Sequence, residues 1–339
     1  MDTKKSILIL TTGGTIASLN SNEGLAPGLS GSDLGGFLAG ISENYLITIK
    51  DILNLDSSNI QPEEWMFIAK NIYDNHSSYD GIVVTHGTDT MAYTTSVLSF
   101  MLKNLPIPVV FTGSQLPLTH PLTDAMDNLR YALAMAATGI PGIYLAFHRK
   151  VILGCRAVKV RTTGFDAFES VNYPLIATID ANGFNINTNA IQPITGKVVY
   201  KEKLCNNVFL IKLTPGLNPE IFDMLVEMNY KGIVIEAFGS GGLHFVNRNL
   251  LEKLKKLVDI GIPIVVSSQC LYERSDLSIY QAGQLALKQG VIPAYDMTTE
   301  AAVTKLIWAL GQSDDEEEIR KMFQTNYAGE INLNKPSHV

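Results

Sequence analysis

The chain has 339 residues, 46% of them hydrophobic and 17% charged, and carries a formal net charge of −7 at pH 7. Such a length accommodates two domains of ordinary size, and such a composition builds a packed core, which excludes a disordered chain. The acidic balance, with no basic run interleaved with aromatics, excludes a nucleic-acid-binding surface as the expected role.

The first apolar run, Ile7-Leu8-Ile9-Leu10, predicts a buried strand over 6–10. It is too short for the core of a secretory leader, and the stretch from Tyr131 to Phe147 is interrupted by Gly139 and Pro141, so no membrane span is expected. A cytoplasmic protein is the expectation. Directly after the strand comes Thr11-Thr12-Gly13-Gly14-Thr15-Ile16-Ala17-Ser18, a turn with two glycines and four hydroxyls. Glycines let the backbone bend and let a ligand approach the amides. A hydroxyl on such a turn is a candidate nucleophile, and neighbouring N–H groups can receive an oxyanion. A phosphate-binding turn is disfavoured, because neither the dinucleotide spacing of glycines nor a Gly-Lys-Ser/Thr ending is present.

Asn54-Leu55-Asp56-Ser57-Ser58-Asn59 precedes a helix expected over 62–75, with Pro62 in its first turn. As a helix lead-in it needs no further role, since Ser and Asn are good caps. As a binding loop it suits a zwitterion: Asp56 for an ammonium, serine hydroxyls or amides for a carboxylate. A second strand, 81–84, then runs into Thr85-His86-Gly87-Thr88-Asp89-Thr90 and a helix over 91–102. Thr88, Asp89 or Thr90 would cap that helix, yet capping does not explain threonine-rich turns after two separate strands. Both turns can converge at the C-terminal edge of a parallel sheet, where open α/β folds bind ligands. His86 is a conceivable base, but alternation at a strand end favours its pointing away from the cleft or satisfying the loop.

A third strand at 109–111 leads to Thr112-Gly113-Ser114-Gln115, and a helix at 124–137 to a fourth strand at 143–147. Alternation of this kind means a parallel sheet covered on both faces. Lys159 follows in Ala157-Val158-Lys159; beside Asp89, its ammonium could relay a proton through Thr88. From Asn182 the chain turns polar and loses its period, and 187–207 reads as a linker between an N-terminal catalytic α/β domain (1–186) and a smaller C-terminal α/β domain (208–339). In the latter, strands at 208–213, 233–237 and 264–267 alternate with helices at 219–228, 249–259 and 299–310. Ser313 and Glu316 mark a capping box. Cys155, Cys205 and Cys270 are too few and too widely spaced for a disulfide framework, and the scattered histidines form no ligand pattern, so no metal is expected.

Thr12-Gly13-Gly14-Thr15-Ile16-Ala17, paired with Thr85-His86-Gly87-Thr88-Asp89-Thr90-Met91, resembles the two signature motifs of the bacterial-type L-asparaginase/glutaminase family. The pair is far more specific than either motif, and the likeness covers essentially the whole chain. Thr112 to Pro117, Gly164 to Phe168 and Asp296 to Ala301 look like the cytoplasmic, type I branch. The resemblance implies hydrolysis of L-asparagine to L-aspartate and ammonia. Thr15 would be the nucleophile that forms an acyl-enzyme, with Thr88, Asp89 and Lys159 as a second triad beside it. Ser57 would bind the substrate α-carboxylate, assisted by Asp56 and Ser58; Asp89 would also hold the α-ammonium, and Ser114 would lie beside the amide. It further implies two α/β domains, no metal or organic cofactor, and a homodimer or homotetramer. Leu25 stands where the family usually has a lid tyrosine, and Val158 where a threonine is frequent.

Three other functions are compatible with parts of this pattern. Preference for L-glutamine differs by one methylene, worth only about 1–3 kcal/mol in a pocket. An amidase component of a tRNA-dependent amidotransferase is expected to carry a domain ahead of the catalytic one, whereas here the first strand begins near Ser6. A non-catalytic amino-acid-binding protein would not need the full set of Thr15, Thr88, Asp89 and Lys159.

Overall fold

The structure is a computed structural model and describes residues 4–21, 24–28, 31–38 and 44–332. The chain divides into two compact units, with the boundary between Glu202 and Lys203.

In the first unit, Ile7, Leu8, Ile9 and Leu10 are all buried, so the strand Lys5–Gly13 is covered on both faces. Such near-continuous apolar runs mark parallel sheets with helices on either side. Its neighbours are Tyr45–Leu55 and Gly81–Thr85, both parallel, with Ile7 opposite Ile47 and Gly81. The sheet then continues through Pro108–Thr112 and Gly142–Phe147. Numbered along the chain, these five parallel strands lie in the order 2-1-3-4-5. After the second strand the chain crosses back over the first, so the switch point falls between Lys5–Gly13 and Gly81–Thr85. Ligands of open α/β sheets bind beyond the C-terminal ends of strands at such a point. There Thr15 follows the first strand and Thr88 the third.

Beyond Gly142–Phe147 the direction reverses. Lys150–Leu153, Ala177–Asp180 and Gly183–Ile186 complete an eight-stranded sheet as antiparallel edge strands. The segment read as a linker, 187–207, is tied to the first unit as far as Tyr200. The Asn187 N–H bonds the Ile176 carbonyl, the Tyr173 hydroxyl bonds the Ala190 carbonyl, and Val199–Tyr200 pairs with Leu102–Lys103. These links are made by backbone and single side chains, so no hydrophobic period announces them.

The second unit is built on four parallel strands in chain order, Val208–Lys212, Gly232–Ala237, Ile264–Ser268 and Ile292–Pro293. Helix Leu251–Asp259 buries Leu251, Leu254 and Leu257 against a cluster that includes Ile233, Ile235 and Val266. The capping pattern expected at Ser313 and Glu316 is realised two residues later: Asp315 accepts the Glu318 N–H of helix Glu316–Gln324, while Ser313 donates to the Glu318 carboxylate. Helix Thr299–Gln312 carries a fully buried Lys305, which is paired with the equally buried Glu330. The ammonium also donates to the Thr325 carbonyl at 2.9 Å and lies 5.3 Å from the centre of the Tyr327 ring. Burial alone would raise the Glu330 pKa; the Lys305 ammonium and the N–H groups of Tyr327 and Ala328 hold it below the usual range.

Removing one member of such a pair leaves an uncompensated buried charge, so Lys305→Met is expected to cost about 3–5 kcal/mol. A carboxylate whose pKa is depressed on folding adds stability above its unfolded pKa. That stability is lost as the pH falls through the folded value. Thermal melts at pH 7 and in acid read both effects: the gap between wild type and variant narrows in acid. A variant that melts with the wild type at pH 7 contradicts the role given to this pair.

Candidate active site

Thr15 sits on a single helical turn, Thr15–Ala17, that follows the first strand directly. Gly14, at its start, has φ 81°, a conformation that costs other residues strain, and its N–H bonds the Leu55 carbonyl at 2.9 Å. Gly14 also permits a close approach. A Cβ there would lie 2.4 Å from the Gly87 backbone nitrogen. Gly87 is crowded from another side, since a Cβ on it would lie 2.6 Å from Ser57 Oγ. The two threonine-rich turns therefore meet backbone to backbone at the switch point, and the Ser57 side chain packs on Gly87.

Each sequence-predicted residue has a definite place. Thr15 is half-buried, and its hydroxyl has no hydrogen-bond partner among the described residues. Lys159 ends the strand Ala157–Lys159 and donates to Thr88 Oγ1 at 2.8 Å and to Asp89 Oδ1 at 2.5 Å. Thr88 is buried, whereas the Asp89 side chain is 61% exposed. Ser57 is buried, and its Oγ accepts the Asp89 N–H at 3.2 Å. Its own hydroxyl proton has no acceptor among the described residues. Asp56 is exposed and serves as a cap, its Oδ1 accepting the N–H and the hydroxyl of Ser58. Ser114 is buried and donates to the Leu116 carbonyl at 2.6 Å. The hydroxyls of Thr12 and Ser18, two conceivable partners of Thr15, donate instead to the carbonyls of Thr85 and Gly14. Leu25 lies in the strand Gly24–Pro27 opposite Asn20; its side chain falls outside the described residues.

His86 takes the structural option. It is fully buried, with Nδ1 2.7 Å from the Gly87 carbonyl and Nε2 3.0 Å from Thr94 Oγ1. Burial lowers its pKa to about 4, against the opposing pull of the Gly87 carbonyl, so the ring is neutral at pH 7.

Sequence reasoning misses Gln115. Its Nε2 donates to the carbonyls of Thr162 and Gly164 at 3.1 and 3.0 Å. With both amide protons spent, its Oε1 faces Thr88 Oγ1 at 3.4 Å and can only accept. The Thr88 proton thus points to Gln115, and a Thr88 lone pair receives Lys159. Only the motif Thr112-Gly113-Ser114-Gln115 hints at this residue.

A cavity of about 180 Å³ is lined by Thr11, Gly13, Ile16, Asp51, Asn54 and Leu118 among others. None of the candidate reacting side chains lines it. Among the described residues no group of three His, Cys, Asp or Glu side chains is placed to hold a metal ion, and no helix is long and apolar enough to cross a membrane.

Family profiles described as "Asparaginase, N-terminal" and "Glutaminase/Asparaginase C-terminal domain" match residues 6–192 and 207–323. An L-asparaginase from Thermococcus kodakarensis is 48% identical over 96% of this chain and 98% of its own length. Its solved structure superposes with a TM-score of 0.91, covering 96% of this chain and 99% of that one. L-asparaginase I from Vibrio cholerae is 33% identical with a TM-score of 0.86, over 98% of this chain and 100% of its own. A glutamyl-tRNA(Gln) amidotransferase component from Pyrococcus furiosus is 39% identical over 96% of this chain and 76% of its own length.

The contact at Gly14 can be separated from its positive φ. Gly139 also has positive φ, at 72°, but a Cβ there meets nothing within 4 Å. Gly14→Ala is expected to lower turnover at least about 100-fold, because small misplacements of reacting groups cost that much. Gly139→Ala is expected to keep turnover within about twofold, although its positive φ costs about 1–2 kcal/mol of stability. Steady-state assays of both variants decide this; equal losses would show that the approach of the two turns does not matter.

Proposed function

This chain belongs to the asparaginase family, and on that premise we propose that it hydrolyses the side-chain amide of L-asparagine through an ester on Thr15. The observation that carries the mechanism is the hydrogen-bonded set of Lys159, Thr88 and Asp89 at the switch point, beside a turn whose Thr15 hydroxyl has no partner among the described residues.

Substrate binds as a zwitterion. The Ser57 hydroxyl donates its unspent proton to the α-carboxylate, close to the N-terminus of helix Met91–Met101 with its positive end. Asp89 uses Oδ1 for Lys159, which leaves Oδ2 for the α-ammonium. Asp56 and Ser58 hold the shape of the Ser57 turn. Ser114 fixes the loop beside the amide through its bond to Leu116.

Thr15 Oγ1 then attacks the amide carbon, and the carbonyl electron pair moves onto oxygen. The Thr15 proton passes toward the leaving nitrogen, which departs as ammonia when the tetrahedral adduct collapses to the ester. Water attacks this ester, the bond between its carbon and Thr15 Oγ1 breaks, and L-aspartate is released. Thr88 Oγ1 takes the proton of the attacking group as it passes its own hydroxyl proton to Lys159, which acts as the neutral amine and returns the proton to the leaving group; Asp89 keeps Lys159 in line. Gln115 accepts the Thr88 hydroxyl before substrate binds and so fixes the position of Thr88 Oγ1.

Asparagine hydrolysis is supported by the match to an L-asparaginase at 48% identity over nearly its whole length. The amidotransferase component is matched at 39% and over 76% of its length, which supports that function less. L-Glutamine fits the same chemistry as a secondary substrate. A cytoplasmic homodimer or homotetramer is the assembly we propose. Leu271, Tyr272, Ile279 and Tyr280 are exposed within one short stretch, as an interface requires. Light scattering in solution tests this, and a monomer at micromolar concentration contradicts it.

Thr15→Ala is expected to fold and to lose at least about 10⁴-fold in turnover, since a nucleophile is removed but little buried surface. Lys159→Met and Asp89→Ala should each abolish turnover, and the double variant should be no worse than the poorer single, as residues acting as one unit are non-additive. Ammonia release from asparagine and from glutamine, measured side by side, is the assay. A Thr15→Ala enzyme with a tenth of wild-type activity, or losses that multiply, contradicts the mechanism.

A further inference from the structure

Behind the reacting groups lies a buried chain of side chains that no step above uses. Trp65, on helix Pro62–Asn75, places Nε1 3.0 Å from Thr94 Oγ1, and Thr94, on helix Met91–Met101, lies 3.0 Å from His86 Nε2. His86 Nδ1 lies 2.7 Å from the Gly87 carbonyl. An indole N–H can only donate, and a carbonyl can only accept. Thr94 therefore accepts from Trp65 and gives its own proton to His86 Nε2. His86 must then carry its proton on Nδ1 and donate it to Gly87. One tautomer satisfies every group, and burial, which lowers the His86 pKa to about 4, keeps the ring in it.

The consequence appears one bond further on. The chain has no cis peptide among the described residues, and in a trans peptide the C=O and the following N–H point in opposite directions. The Gly87 carbonyl is drawn inward by His86, so the Thr88 N–H points outward, away from the buried relay. That N–H has no protein acceptor among the described residues. It belongs to the same residue whose hydroxyl meets Lys159. A fixed, unspent donor at this place is what a developing oxyanion needs.

We propose that Trp65, Thr94 and His86 form a positioning relay that locks the Gly87–Thr88 peptide with the Thr88 N–H aimed at the amide oxygen under attack. This rests on the reading of Thr15 and Thr88 as the reacting pair. None of the three touches substrate. The relay also ties together two helices: the one that begins after the Ser57 turn and the one that begins after Thr90. Placement of the carboxylate-binding turn and placement of the oxyanion donor are thereby coupled.

The test separates the hydroxyl of Thr94 from its bulk. Thr94→Val keeps the shape and removes the donor; Thr94→Ser keeps the donor and removes a methyl. Thr94→Val is expected to lower kcat for asparagine about tenfold, with KM changed less than about twofold, because the donor acts on the transition state. Thr94→Ser is expected to keep kcat within about twofold, even if it melts lower than the wild type. Should Thr94→Val fail to fold, the His86 pair carries the same test. His86→Asn keeps a donor in reach of the Gly87 carbonyl and should be faster than His86→Leu. Thr15→Ala is assayed in parallel. If it is inactive while Thr94→Val runs at the wild-type kcat, the relay is wrong and the site stands. If Thr15→Ala is active, the site itself is wrong. Equal slowing by Thr94→Ser and Thr94→Val, following their melting temperatures, would reduce the relay to packing and overturn the proposal.

Discussion

The contact on which the site depends is the one between two glycines. Gly14 and Gly87 lie after different strands, and neither has a side chain to keep the other away. A single methyl on Gly14 would sit 2.4 Å from the Gly87 nitrogen. Sheet order makes the meeting possible, since the strands Lys5–Gly13 and Gly81–Thr85 are neighbours at the switch point. The missing side chains make it close. Ser57 then packs on Gly87, and a Cβ on Gly113 would lie 2.3 Å from the His86 carbonyl oxygen, so four loop segments converge on one peptide.

Charge is handled in two ways within this chain. Lys159 is held by an exposed carboxylate and a hydroxyl, in reach of solvent and substrate, where protons can be exchanged. Lys305 is sealed with Glu330 away from water, where no proton needs to move. His86 is a third case: a group able to titrate, buried so deeply that it stays neutral and acts only as a directional hydrogen-bond bridge. The titratable group closest in sequence to Thr88 on its N-terminal side is thus excluded from acid–base work, in keeping with the role we propose for Thr88 and Lys159.

Much of the core of the fold is legible in the sequence because it is written in apolar runs. Strands at 6–10, 81–84, 109–111 and 143–147, and the helices between them, correspond to observed elements whose interior positions are buried. The two threonine-rich turns are legible because glycines and hydroxyls together after a strand have few uses. The strand Tyr45–Leu55 escapes such a reading, although it decides the switch point. It lies at the edge of the sheet, and its residues are only half-buried or exposed, so its alternation is faint. The antiparallel strands at Ala177–Asp180 and Gly183–Ile186 escape it for the same reason: they are short, polar and at the other edge. The roles of Gln115, Thr94 and Trp65 are not legible at all, because each depends on a partner 27 or more positions away that only the fold brings near.

The central claim is that Thr15, on the first of the two turns, becomes covalently acylated. It is tested most directly with an asparagine analogue bearing an electrophilic ketone in place of the carboxamide, followed by peptide mapping of the inactivated protein. The account predicts one label per chain, on the hydroxyl of Thr15, with protection by L-aspartate. Inactivation with the label on Thr88, or on any residue other than Thr15, would contradict it.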